Sequence, residues 1–327
     1  MNKHFIKEIE IKNYKCFQNF NAKSFSRINL ISGKNNVGKT AFMEAFFIGI
    51  NAEDIKGFTN ALIAPKIMRE SLNIFSSLIN DKLNDKLAIE FLEELASTEI
   101  TVNNKKVSFD IEDTNNGLKK YLFSIDKENI SLNAKEFVFS YKEEQNKRFI
   151  DNFGLSNGDI ISDFSSIQKR DEEDFLNQTI NDFDSTITTF KIIDEKPQCK
   201  MGNVYYELNE FGDGLRHLIS IIIELFKCEN GYLFIDEVDN GIHYTKLDDL
   251  WIIILKISAQ LNIQIFATTH SKECIESYAR VAKELKKEED IAFIELGRDK
   301  ESQLKAIVMK SERFYRELYD GNGVRGW

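Results

Sequence analysis

Gly33-Lys34-Asn35-Asn36-Val37-Gly38-Lys39-Thr40 sets two glycines, a lysine and a hydroxyl residue at fixed offsets. Each residue type meets one need of a polyphosphate. Its dense negative charge is most simply held by backbone N–H groups at a helix N-terminus, where the helix dipole adds partial positive charge. Side chains would block that approach, so Gly33 and Gly38 supply backbone access and unusual dihedrals. Asn35 and Asn36 complete the candidate phosphate loop. Lys39 brings a point charge, expected to face solvent until phosphates arrive. The Thr40 hydroxyl is a hard oxygen ligand of the kind Mg²⁺ takes. The string fits G-x-x-x-x-G-K-[ST] at every fixed position and points to ATP bound with Mg²⁺.

The last third of the chain holds groups that complete such a site. Tyr232-Leu233-Phe234-Ile235-Asp236-Glu237 is an apolar run ending in two carboxylates. Asp236 at the end of a buried strand can hold Mg²⁺, and Glu237 is placed to polarise an attacking water. Thr268-Thr269-His270-Ser271 follows the apolar run Ile263 to Ala267. A histidine there points into the crevice where open α/β sheets bind ligands, within reach of a γ-phosphate or the water. Asn209-Glu210-Phe211-Gly212-Asp213-Gly214-Leu215-Arg216-His217 precedes an apolar helix. Gly212, Asp213 and Gly214 therefore form a second candidate anion site, useful if it closes over the nucleotide of another subunit.

The elements that must position these groups follow from periodicity. Residues 1–32 read as two strands flanking a turn, the second spanning Phe25 to Ile31. Residues 40–80 read as helical, with a break near Asp54 to Asn60 and a new start at Pro65. Short alternating runs over 85–141, including Phe137 to Tyr141, read as an antiparallel β-meander with Asn-rich turns. Residues 158–183 read as a mostly helical acidic insert, in which Asp171-Glu172-Glu173-Asp174 is a solvated face. Ile187 to Ile193 and Val204 to Leu208 read as strands. From 214 onward helix and strand alternate three times, the pattern of a parallel core. The tail from Gln303 reads as one strand, one short helix and a Gly-rich end.

The 327 residues, 42% of them hydrophobic, suffice for one large α/β domain or a domain with a subdomain. The motifs of one nucleotide site span most of that length, so independent halves are not expected. No apolar stretch reaches the roughly 18 residues of a membrane helix, and the N-terminal pattern is not that of a signal peptide. Cys16, Cys199, Cys228 and Cys274 are widely spaced, which argues for reduced thiols in the cytoplasm and against a zinc site. The net charge of −10 disfavours uniform binding along nucleic-acid phosphates but leaves room for a local basic groove.

The order of these motifs resembles the ABC-type ATPase heads of the structural-maintenance-of-chromosomes (SMC), RecF and overcoming-lysogenization-defect (OLD) group. Ile6 to Phe17 is similar to the "I-x-N-[FY]-[RK]-x-F" start of that group. Asp236-Glu237-Val238-Asp239-Asn240-Gly241-Ile242-His243 resembles the "DE-x-[ED]-N-G-[IL]-H" stretch of OLD-like ATPases, and Thr268 to Ser271 their "T-T-H-S". Gly214 lies 22 residues before Asp236, close to the spacing of a signature loop from its acidic strand. Small standalone bacterial ATPases, AAA-family or OLD-like and without a Toprim domain, resemble it most. The likeness covers roughly residues 1–50 and 203–296.

The resemblance implies one head over 1–327: a nucleotide-binding core from 1–50 and 203–310 with a mixed or parallel sheet, an antiparallel lobe over 85–141 and a helical insert over 158–183. It implies ATP hydrolysis, a nucleotide-sandwich homodimer and a role in phage or plasmid defence or DNA transactions, with DNA among the possible partners. Alternatives are a RecF-like repair clamp and an ATP-gated scaffold with little hydrolysis. The segment between the motifs has no sustained heptads, and no Toprim-like stretch follows, so an effector such as a nuclease is expected to be a separate protein. Two departures stand out. Phe211-Gly212-Asp213-Gly214 replaces the usual Leu-Ser-Gly-Gly, so an offsetting charge from Arg216 is expected beside Asp213. The glutamine that follows a core strand in such heads has only Gln145 and Gln168 as candidates.

Overall fold

The computed structural model describes residues 4–62, 89–90, 92–114, 118–133 and 146–319. Strands β1 (Glu8–Tyr14) and β2 (Phe17–Lys23) form a hairpin, followed by β3 (Ile28–Gly33) and helix α1 (Lys39–Asn51). Strands β4 (Thr98–Val102), β5 (Lys105–Asp113), β6 (Lys119–Ile125) and β7 (Glu128–Asn133) come next, then β8 (Lys147–Ile150). Helices α2 (Asn157–Asp163), α3 (Ser165–Gln168) and α4 (Glu173–Phe183) precede strands β9 (Ile187–Ile193), β10 (Lys196–Met201) and β11 (Val204–Glu207). The chain then runs through α5 (Asp213–Lys227), β12 (Tyr232–Ile235), α6 (Leu247–Gln260), β13 (Gln264–Thr268), α7 (Lys272–Glu284), β14 (Ile291–Arg298), β15 (Leu304–Lys310) and α8 (Ser311–Tyr319).

Three sheets result. The core sheet has the order β15-β14-β3-β13-β12-β8, parallel except for β15. The antiparallel sheet has the order β2-β1-β4-β5-β6-β7, and a small sheet the order β11-β10-β9. All six residues of β3 and all five of β13 are buried, as strands covered on both faces must be. Their side chains alternate between two cores. Leu30, Leu233, Ile235, Ile265 and Phe293 join the helical side formed by α5, α6 and α7. Ile31, Phe234, Phe266, Ile294 and Leu296 join the side filled by α1 and the antiparallel sheet. Phe46 of α1 is the hub of that second core, with ring centroids 4.3 Å from Phe266, 4.8 Å from Phe42 and 5.1 Å from Phe25.

A buried ion cluster ties the insert to the core. Arg148 of β8 forks onto Glu224 of α5 at 2.8 and 2.9 Å and reaches Asp163 of α2 at 2.6 Å. All three side chains are buried, so each charge depends on its partners.

Several elements differ from the sequence reading. Residues 4–33 form three strands, not two: Lys15-Cys16 turns the chain between Tyr14 and Phe17. Neither Gly nor Pro marks that turn; Asn13 and Lys15 themselves take positive φ of 54° and 50°. β3 starts later than expected and runs to Gly33, so the phosphate loop springs directly from the strand end. β10 was not anticipated, because Pro197 speaks against a strand interior. Pro197 pairs with Ile192 of β9 but lies beyond the residues paired with β11, so that ladder stays whole. The helix start at Pro65, the strand Phe137 to Tyr141 and the Gly-rich end fall outside the described residues.

Phe46→Ala removes the ring on which three others converge. The expected loss is about 3–5 kcal/mol of unfolding free energy, read from urea denaturation. A loss below about 1 kcal/mol would show that the α1 layer collapses around the gap.

Candidate functional site

The loops at the carboxyl ends of β3, β12 and β13 meet in one cleft of about 610 Å³, a usual size for a small-molecule site. Asn35, Asn36, Gly38, Lys39, Thr40, Asp236, Glu237 and His270 line it. So do Lys15, Cys16, Glu44 and Arg298, to which sequence reasoning assigned no role.

Gly38 caps α1 with φ 101°, and a Cβ there would lie 2.5 Å from Cys16 Sγ. Both conformation and space require glycine. At Gly33 a Cβ would fall 2.5 Å from the carbonyl oxygen of Leu296, so β14 packs against the start of the loop. Lys39 does not face solvent as expected. It is buried, and its ammonium donates to the carbonyls of Gly33 and Lys34, both at 3.0 Å. The reason is that the loop curls its own carbonyls around the lysine. Burial lowers the Lys39 pKa, while Asp236 and Glu237 act in the opposite direction. A partly desolvated cation of this kind attracts anions strongly.

The Thr40 hydroxyl donates to Asp236 Oδ2 at 2.9 Å, joining residues 196 positions apart in the sequence. Thr268, one residue past the register pair Ile235↔Ala267, completes the knot. Its hydroxyl donates to Asp236 Oδ1 at 2.6 Å and accepts the Glu237 N–H at 2.8 Å. Glu237 adopts φ 50°, a left-handed conformation that costs a non-glycine residue energy. Its Oε1 lies 3.3 Å from His270 Nε2. Thr269 repeats the pattern one residue on, donating to Asp239 at 2.7 Å and accepting the Ser271 N–H at 3.0 Å. The neighbouring hydroxyl of Thr40 and carboxylate of Asp236 offer the hard oxygens that Mg²⁺ prefers, so the residues present fit that ion.

Lys15 and Tyr14 both bond to the buried Glu44, Tyr14 at 3.2 Å. Glu44 stands one turn after Thr40 on α1, and a lone acid in so apolar a helix was the one sequence signal for it. Nothing in the run Gly297-Arg298-Asp299 marks Arg298; only the pairing of β14 with β3 brings it to the cleft.

Gly212, Asp213 and Gly214 are not among the residues lining this cleft. Gly214 is explained by packing: a Cβ would lie 2.1 Å from the carbonyl oxygen of Gly241, in the turn after β12. Gly212 is not. A Cβ there would meet nothing within 4 Å, and its φ of −66° suits any residue. The Asp213 charge acts on Arg216, as expected, but no direct hydrogen bond or ion pair joins the two among the described residues. The Arg216 guanidinium instead donates to Leu155 O at 3.0 Å and to Asn157 and Asn209 at 2.9 and 2.5 Å, because the β8–α2 loop folds over the start of α5. Gln168 lies in α3, away from the lining of the cleft, and Gln145 is outside the described residues. The residue that follows β8 beside Asp236 is Asp151, since the Asp236 N–H donates to Ile150 O at 2.8 Å.

A phosphate-type loop, an acidic strand end and a histidine loop on a sandwiched parallel sheet define a P-loop ATPase head. The family model described as AAA ATPase domain matches residues 70–275, and the chain belongs to that family. The chain is similar to a protein of Helicobacter pylori (strain ATCC 700392 / 26695) named ATP/GTP phosphatase, at 24% identity over 331 residues, covering 85% of this chain and 89% of that protein. Its fold is that of an SMC head bound to the C-winged helix domain of ScpA, with a TM-score of 0.53 at 13% identity, covering 95% of this chain and 99% of the other. An SMC head domain from Thermotoga maritima aligns at a TM-score of 0.46 and 12% identity, covering 93% and 98%. The protein is thus an ATPase with an ABC/SMC-type head fold.

Two substitutions probe the cleft. Lys39→Ala is expected to abolish Mg-ATP binding in calorimetry while circular dichroism stays unchanged; near wild-type affinity would sink the assignment of the loop. Thr268→Val strips Asp236 and the Glu237 N–H of their shared partner. It should cost about 1–3 kcal/mol of stability and slow turnover, with Thr268→Ser restoring both. Equal behaviour of the Val and Ser variants would show that the hydroxyl is dispensable.

Proposed function

We propose that the protein is a Mg²⁺-dependent ATP-hydrolysing switch whose two copies sandwich nucleotide between them and act on a separate effector protein. The observation that carries this reading is the convergence of Thr40, Asp236, Thr268 and Glu237 in one hydrogen-bonded knot beside buried Lys39. In this reading the α1 N-terminus and the N–H groups of the loop hold the phosphates. Lys39 exchanges the carbonyls of Gly33 and Lys34 for phosphate oxygens. Thr40 and Asp236 would hold Mg²⁺, which when bound neutralises charge building on the phosphates. Glu237 accepts a proton from the attacking water, and His270, 3.3 Å away, orients that carboxylate or the water.

The dimer is favoured by Gly212. Its own chain gives it open space and an ordinary φ, so a glycine there suits the approach of another body. Gly212 and Asp213 are exposed at the N-terminus of α5, an end that favours anions. A two-fold pair would set this end against the partner's cleft twice over. Asp213, unpaired with Arg216, would then oppose the partner's phosphates and make closure sensitive to what else binds. An effector protein fits better than extended DNA contact, given a net charge of −10. The SMC head with which the fold aligns is itself bound to a partner protein's winged-helix domain. Phage or plasmid defence is the setting the OLD-like resemblance favours.

Glu237→Gln should retain ATP binding, slow hydrolysis by about 10²-fold or more and accumulate as an ATP-bound dimer on size-exclusion chromatography. A strictly monomeric variant with ATP shown to be bound would rule out the sandwich. Stimulation of wild-type turnover by DNA alone would redirect the reading towards a RecF-like clamp.

A further inference from the structure

Arg298 lines the nucleotide cleft together with Lys15 and Lys39. It is the last residue of β14 and is exposed, whereas the seven before it are buried. Its backbone sits on a rigid element. β14 pairs with β3 up to Leu296↔Gly33, at the start of the phosphate loop, and with β15 up to Arg298↔Leu304. The side chain is anchored at one atom: Nη1 donates to Ser302 O at 2.8 Å. Among the described residues no carboxylate pairs with the guanidinium, which leaves the rest of its donor fork unused. Asp299, the acid next to it, is taken up by its own turn, where Oδ1 accepts the N–H groups of Glu301 and Gln303, both at 2.9 Å.

The other cations of the cleft are engaged. Lys15 bonds to buried Glu44, and the Lys39 ammonium to the carbonyls of Gly33 and Lys34. Glu44, Asp236 and Glu237 line the same cleft, and each repels a polyphosphate. The sheet order places Arg298 among these groups. In β14-β3-β13-β12, the end of β14 and the Asp236–Glu237 end of β12 flank the phosphate loop from opposite sides. On the Arg298 side stands Cys16, whose Sγ lies 2.5 Å from where a Cβ of Gly38 would fall. Burial raises the pKa of that thiol and the Arg298 charge acts against the rise, so its field reaches the N-terminus of α1.

We propose that Arg298 is a nucleotide-binding residue that grips the part of the phosphate chain common to ATP and ADP. Its remaining donors make charge-assisted hydrogen bonds to phosphate oxygens, while the hydrolytic groups work on the terminal phosphate from the other side of the loop. This rests on the reading of the cleft as the ATP site. A contact made equally in the ground state and the transition state lowers KM and leaves kcat alone.

The test compares full-length wild type with Arg298→Gln, Arg298→Lys, Lys305→Gln and Lys39→Ala. Affinity for ATP and ADP is measured by calorimetry, together with kcat, KM and thermal midpoint. Arg298→Gln is expected to weaken ATP and ADP alike by roughly 10- to 100-fold, the worth of a hydrogen bond to a charged group, with kcat at saturating ATP and the midpoint unchanged. Arg298→Lys keeps the charge without the fork and should recover part of the loss. Lys305→Gln removes a charge from β15 outside the lining of the cleft and should bind as wild type does. Wild-type affinity in Arg298→Gln overturns the proposal. So does a lower kcat with KM unchanged, a loss for ATP without one for ADP, or an equal loss in Lys305→Gln, which would mark a general effect of charge. A fallen midpoint shared by both Arg298 variants also overturns it, by making the residue structural. If Lys39→Ala loses binding while Arg298→Gln does not, the phosphate grip alone falls. If Lys39→Ala binds as wild type does, the assignment of the cleft falls and the grip with it.

Discussion

The Thr268 hydroxyl has one proton to give and lone pairs to receive, and the cleft is built on how it uses them. It gives the proton to Asp236 and receives the Glu237 N–H. That one side chain fixes the orientation of a metal-type ligand and the backbone of the residue that follows it. Asp236 in turn accepts from Thr40, so hydrogen bonds join the phosphate loop, the acidic strand end and the strand that leads into the histidine loop. Hydroxyl and carboxylate here are short side chains on strand ends and a helix N-terminus, with few rotamers to lose. The strained φ of Glu237 is tolerable only because its N–H and its carbonyl are both held.

The layering beneath explains why the knot can form at all. β3, β12 and β13 are adjacent and parallel, so their carboxyl ends open on the same edge. Parallel strands need helical crossovers, and the two cores accommodate them on opposite faces: α1 under the antiparallel sheet, and α5, α6 and α7 on the other side. Alternation along each strand then assigns Phe234 and Phe266 to the aromatic layer around Phe46 and leaves Ile235 and Ala267 to the helices. A register slip of one residue would exchange the two sets and carry Asp236 away from Thr268.

How much of this could be read from the chain depends on whether the signal was local. Gly38, Lys39 and Thr40 are legible because one short loop holds the whole phosphate cradle, and the motif is a record of its backbone requirements. The alternation after residue 214 was equally legible, since each crossover carries its own period. The hairpin turn at Lys15-Cys16 was not, because Asn13 and Lys15 accept positive φ without a glycine to announce it. β10 hid behind Pro197. Arg298 and the Thr268 hydroxyl escaped for a different reason: their roles depend on strand neighbours far away in sequence. The expected Arg216–Asp213 pair failed because proximity in sequence says nothing of what a third segment offers. Leu155, Asn157 and Asn209 give the guanidinium better company.

The two glycines of the α5 turn separate structural need from the remainder. Gly214 is demanded by its own chain, since the Gly241 backbone occupies the place of a side chain. Among the described residues nothing lies within 4 Å of a Cβ at Gly212. With Arg216 withdrawn into the fold and Asp213 left exposed, the end of α5 presents a dipole that attracts anions beside a carboxylate that repels them. In the proposed reading, a phosphate brought to this end by a second copy would meet both. The proposed sandwich thus draws on a cleft built within one chain and on an α5 end that a second copy would face. In the proposed reading the labour is divided: binding belongs to one chain, and commitment to hydrolysis depends on the copy that meets it.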